Sequence, residues 1–80
     1  MPTVLRIGPY EFYFFSDERQ EPPHIHVERD EDEVKFWLSP VRLAGNHGFR
    51  THELNKIERL VVEHEAFLRE QWDAHFAGRD

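Results

Sequence analysis

Cysteine is absent from this 80-residue chain, which excludes a disulfide framework, a thiolate zinc site and a cysteine nucleophile together. Serine occurs only at Ser16 and Ser39, too few to favour a serine triad. No Gly-x-Gly-x-x-Gly or Gly-Lys-Ser/Thr run is present to cradle a nucleotide. No segment approaches the roughly 20 apolar residues of a membrane span. The start, Met1 to Phe15, lacks a basic run followed by an apolar stretch and a small-residue cleavage site. These absences predict a cytoplasmic protein with no membrane association. Basic residues are also scarce. Ten Lys and Arg stand against 16 Asp and Glu, a formal charge of −6, which argues against an all-over basic nucleic-acid footprint.

Aromatics are plentiful: seven Phe, two Trp and two Tyr. Large rings bury more area per residue than aliphatic side chains, so a short chain can build one small core from them. The first 44 residues read as strands and turns. Thr3–Ile7 is a β-branched run ended by the turn pair Gly8-Pro9, and Tyr10–Phe15 is an aromatic strand hairpinned to it. Ser16–Pro23 ends in Pro-Pro and predicts an extended loop. His24–Glu28 alternates as a two-faced strand does. Asp30–Glu33 is an acidic turn, Val34–Leu38 the next strand, and Pro40 its stop. Val41–Ala44 fits either a short strand or a helical turn, and residues 45–50 read as a loop.

A helix is predicted over about residues 51–77, with Thr51 as N-cap, Glu53 in the first turn and Gly78 as terminator. Leu54, Ile57, Val61, Leu68 and Trp72 recur at helical spacing, and Glu65 and Arg69 are placed to pair on the outside. Such a helix is about 37 Å long, whereas five- or six-residue strands span roughly 17–20 Å. It should overhang the sheet, leaving Trp72 and Phe76 in need of a partner or a bend, and homodimerisation is the simpler expectation. The whole is a single α+β domain, residues 1–80: a small, mostly antiparallel sheet of four or five strands followed by one long C-terminal helix packed on one face.

Strand parity assigns Leu5, Ile7, Phe12, Phe14, Ile25, Val27, Val34, Phe36 and Leu38 to the helix-facing side. The opposite face then carries Arg6, Tyr13, Phe15, His24, His26, Glu28, Lys35 and Trp37. A simple two-layer protein shows mostly polar groups there. Aromatics and histidines predict a surface that touches something.

Glu21-Pro22-Pro23-His24-Ile25-His26-Val27 is the most distinctive run. With the Met1-Pro2-Thr3 start, and with His64, Leu68 and Trp72 on the helix, it resembles a family of small bacterial proteins known as domain of unknown function 4160. Asn46 to Phe49 departs from the family pattern. The resemblance implies the α+β fold and a cytoplasmic location. It also implies genes laid out like toxin–antitoxin pairs, often beside a second small protein, and hence a partner protein from a neighbouring gene.

Three functional readings follow from the residues. On a strand, His24 and His26 point the same way about 7 Å apart. They could bind a divalent transition metal with His47, Glu28 or His64 as third ligand, although parity turns His64 toward the other face. A hydrogen-bonded, buried role is the simpler expectation for His64, and solvated ones for His52 and His75. The second reading is metal-free ribonuclease chemistry, with His24 and His26 as acid and base when a 2′-hydroxyl attacks the adjacent phosphate. Tyr13, Phe15 and Trp37 would stack bases, and Arg6, Lys35, Arg42 and Arg50 would meet phosphates. The acidic Glu28–Glu33 run opposes RNA; it is simplest as a solvated turn, lacking the pattern of a calcium loop. The third reading is association without catalysis, through the aromatic face and the overhanging helix, with an identical copy or the neighbouring gene's product. The favoured role is a component of a toxin–antitoxin-like module that works through protein association and carries ribonuclease activity at His24 and His26 if it is an enzyme.

Overall fold

The computed structural model describes residues 3–15 and 20–77. Five strands come first: β1 (Thr3–Ile7), β2 (Tyr10–Tyr13), β3 (His24–Arg29), β4 (Asp32–Leu38) and β5 (Val41–His47). Two helices follow, α1 (Thr51–Glu63) and α2 (Glu65–Phe76). The strands form one antiparallel meander in the order β1-β2-β3-β4-β5. Short turns make this order possible. Gly8, with φ of 56°, turns β1 into β2; Asp30, with φ of 57°, turns β3 into β4; Ser39-Pro40 turns β4 into β5.

The alternation read from the sequence places the core. Phe12, Ile25, Val27, Val34, Phe36 and Leu38 are buried on one face, with Ile57 and Val61 of α1 and Leu68 and Trp72 of α2. Tyr10, Phe14 and Phe49 complete that cluster, and Leu5 and Ile7 are half-buried at its margin. An ion-pair network ties the helix to the sheet. Glu53 on α1 accepts the Arg29 guanidinium on both oxygens, at 2.7 and 2.9 Å, and the Tyr10 hydroxyl at 2.7 Å. At the end of β5, Gly48 has φ of 112°, and a Cβ there would collide with the Asp32 carboxylate. Only glycine satisfies both conditions.

Several boundaries differ from expectation. Of the two readings of Val41–Ala44 the strand holds and the helical turn does not, and β5 runs on through Gly45, Asn46 and His47, the first three residues assigned to a loop. Pairing with β4 supplies the hydrogen bonds that a glycine-containing segment would not secure alone. A bulge between Lys35 and Phe36 skips Ala44. Strand β4 begins at Asp32, inside the expected acidic turn, and β2 ends at Tyr13. Arg50 rather than Thr51 occupies the N-cap, with no side-chain capping bond. Gly78 and the first half of the expected loop after Phe15 (residues 16–19) lie outside the described residues.

The largest difference is the helix. In place of one long rod, α1 and α2 are separated at His64, whose φ of −110° and ψ of 16° are not helical. The break lets α2 follow the curved edge of the core. Phe14 follows β2, His24 begins β3, and Trp37 near the end of β4 is opposite His24, so all three lie at one end of the sheet. Trp72 packs there, its ring centroid 5.3 Å from Phe14 and 4.8 Å from His24, with Phe76 4.4 Å beyond it. The apolar residues expected to overhang are thus covered within the chain.

Candidate functional site

The face of the sheet away from α1 carries the ring cluster that parity placed there. Tyr13 on β2, His26 on β3 and Lys35 on β4 are successive cross-strand neighbours, as are His24 and Trp37. Cross-strand pairs at this spacing bring side chains into contact. The Tyr13 and His26 rings stack at 5.2 Å and 15°. Phe15 meets both edge-on, at 5.5 and 5.2 Å. His24 stands perpendicular to His26 at 5.1 Å and to Trp37 at 5.8 Å. Lys35 places its ammonium 4.6 Å from the Trp37 ring and 2.6 Å from Glu21 Oε1.

This cluster is more closed than the sequence implies. His24 is 0% exposed, Tyr13 2% and His26 7%, whereas Phe15 is 38% exposed. Tyr13 is therefore not an open stacking platform, as ring packing against His26 and Phe15 covers it. The His24 Nδ1–H donates to the Pro22 carbonyl at 3.0 Å, and the Pro23 carbonyl accepts the Leu38 amide at 3.0 Å. Each carbonyl of the Pro-Pro pair thus has a donor, and the loop is fastened over the strand ends. The Pro-Pro-His-x-His run reads locally as a structural clasp.

His26 differs from His24. Its Nδ1 lies 3.1 Å from Glu33 Oε2, and Glu33 also accepts a hydrogen bond from the Tyr13 hydroxyl. Burial above all, then that bond and the nearby Glu33, Glu28 and Glu11 charges, pushes the Tyr13 phenol far up, so Tyr13 stays a neutral donor. Glu33 thereby joins a phenol and an imidazole. Nothing in the sequence marks Glu33 out from the acids around it. The register that faces it toward His47 on β5 and sets it one step from His26 is a tertiary fact.

The other residues nominated from sequence scatter. Arg42 is opposite Trp37 on β5 and exposed, Arg50 caps α1, and Arg6 pairs with Glu11 at 3.4 Å on the far edge. They do not make one phosphate-binding patch. His47 lies beyond Glu33 at the end of β5, and among the described residues no group of three or more His, Asp or Glu is arranged to hold a metal ion. His24, His26 and His47 therefore do not assemble a metal centre here. His64 donates Nδ1–H to the Leu60 carbonyl at 2.8 Å, half-buried, as expected of a structural histidine. His52 is exposed. His75 is not solvated: its ring packs 5.1 Å from Phe14 and 4.8 Å from Phe76 because α2 turns that side inward.

Two shallow cavities flank β5 on this face. One, of about 420 Å³, is lined by Pro22, Pro23, Trp37, Pro40, Arg42 and Leu43. The other, of about 500 Å³, is lined by His26, Glu33, Lys35, Gly45, Asn46 and His47.

The model of a family described as a domain of unknown function, DUF4160, matches residues 10–73. That span takes in the clasp, all of β2 to β5, and α1 and α2 through Trp72. The chain belongs to this family. No curated protein and no solved structure matches the DUF4160 chain. Among its described residues no helix is long and apolar enough to cross a membrane.

Proposed function

We propose that this DUF4160 chain works by association with a protein partner, as one component of a bacterial toxin–antitoxin-like pair. One contrast carries the reading: His24 and His26 are buried in contacts that fasten the fold, while the edge strand β5 is exposed from Arg42 to His47, with Leu43 53% exposed. A general acid or base must reach the proton that it moves, which a fully buried His24 does not do. An open edge strand instead offers a row of backbone donors and acceptors to another chain. Co-expression with the product of the adjacent gene tests this. The two proteins should co-purify, and the growth phenotype of either alone should change when both are made. A chain that leaves growth unaffected and retains nothing from that gene overturns the reading.

Ribonuclease activity is a second reading, narrowed to His26. Its Nδ1 lies 3.1 Å from Glu33 Oε2 at the margin of the larger cavity, which puts a carboxylate beside an imidazole as acid–base catalysis uses them. Purified protein should then cleave RNA, and His26→Ala should abolish cleavage while far-ultraviolet circular dichroism stays unchanged. Intact RNA with the wild type removes this activity.

A further inference from the structure

Strand β5 has an unusual combination of features. It ends the strand order, so among the described residues one side of its backbone has no neighbouring strand. It is also uncovered on its faces: every residue from Arg42 to His47 is exposed. The opposite edge, β1, is less open. Val4, Leu5 and Ile7 are half-buried against the core, and Arg6 is paired with Glu11.

Charge separates β5 from the rest of the molecule. Residues 41–50 contain Arg42, His47 and Arg50 and no Asp or Glu, in a chain of net charge −6. The remainder therefore carries −8, since the segment contributes two arginines and no acid. A second copy pairing edge to edge would set one acid-free strand bearing Arg42 and His47 against another. An acidic strand would complement the edge.

The two cavities open on the face of the sheet inboard of this edge, over β4 and β5. Trp37, Arg42 and Leu43 line one, and Lys35, Gly45 and His47 line the other. Gly45 has open space where a Cβ would stand. Leu43, 53% exposed on this strand, offers an added strand an apolar contact beside the open backbone.

We infer that β5 is the docking edge for an extended, acidic segment of the partner protein, which adds as a further strand beside β5 and sets its apolar side chains against the exposed Leu43. This inference rests on the association reading above and names the chemistry of its partner. Its test uses the full chain, labelled with ¹⁵N, and two probes: a peptide of alternating Glu and Val, and one of alternating Lys and Val. The Glu-Val peptide should shift the amide signals of Val41–His47, and the Lys-Val peptide should bind more weakly. Arg42→Glu, at an exposed position, should weaken the Glu-Val peptide about three- to tenfold and narrow the difference between the peptides. Leu43→Gln, which removes the apolar contact without changing charge, should reduce binding while leaving the remaining amide spectrum in place.

Absence of β5 shifts at millimolar Glu-Val peptide overturns the inference, as do equal shifts with both peptides. Shifts confined to the Phe15 and His26 region do so too, by moving the site to the ring cluster. Concentration-dependent β5 shifts without peptide assign the edge to a second copy and also overturn it. Failure here is distinguishable from failure of the association reading. Co-purification that survives Arg42→Glu and Leu43→Gln keeps the pair and discards this edge. Peptide binding at β5 without co-purification keeps the edge and discards the pair.

Discussion

Glu53 shows how one side chain can join three elements. It receives Arg29 from β3 and Tyr10 from β2 while standing in the first turn of α1. The Arg29 hydrogen bonds first, then the Tyr10 bond, hold its carboxyl below the ordinary value of 4.5. A lowered folded value stabilises the protein above the unfolded carboxylate range, and that contribution is lost as pH falls through the folded value. Glu53→Gln should therefore lower the melting temperature at neutral pH, and the gap from wild type should close as the solution is acidified below about pH 4. A gap that persists unchanged in acid would show that charge is not the cause. His24 makes a different residue-scale prediction. His24→Ala leaves the Pro22 carbonyl without its donor, at an expected loss of about 1–3 kcal/mol in urea unfolding. Were His24 a solvent-facing acid or base, as the sequence alone allows, its removal would leave stability nearly unchanged.

At the scale of elements, the break at His64 decides how the C-terminal third is used. A continuous helix would carry Trp72 past the sheet; the bend brings it onto Phe14 and His24. Trp72→Ala should cost about 3–5 kcal/mol, a large part of the roughly 4–12 kcal/mol expected for a domain of this size. Trp72→Phe should recover part of that loss. Val62→Ala, at an exposed site on α1, should stay within about 0.5 kcal/mol. Urea titrations of the three variants check the ordering. The helical periodicity was legible through Trp72 because apolar spacing is a local property. The break was not, since His64 and its neighbours are ordinary helix residues and the bend is set by what α2 packs against. The second half of β5 is the reverse case: the composition of Gly45, Asn46 and His47 points to a loop, and pairing with β4 makes it a strand.

At the scale of the whole molecule, charge and exposure are unevenly distributed. Five acids lie in Glu28–Glu33 and six on the helices, while residues 41–50 are basic. Retention of an acidic partner on β5 should fall as salt is raised through the range in which surface charges are screened. Arg42→Glu should remove most of that salt dependence, without changing the thermal stability of the free chain by more than about 0.5 kcal/mol. Retention on immobilised protein across a salt series measures both. The break at His64 also bears on self-association: it buries Trp72 and leaves Phe76 half-buried against the core, so less apolar surface overhangs the sheet than one straight helix would leave.

The sequence by itself determined the α+β class, the strand parity that separates core from open face, and the family to which the chain belongs. These rest on periodicity and on a contiguous motif, both of which are local. Tertiary structure alone decided that the His-x-His pair is enclosed, that Glu33 reaches His26 and Tyr13, and that β5 stands open. Each depends on register and on which surfaces are left uncovered. Those are set by contacts between residues distant in sequence, such as Trp72 with His24, and no local pattern records them.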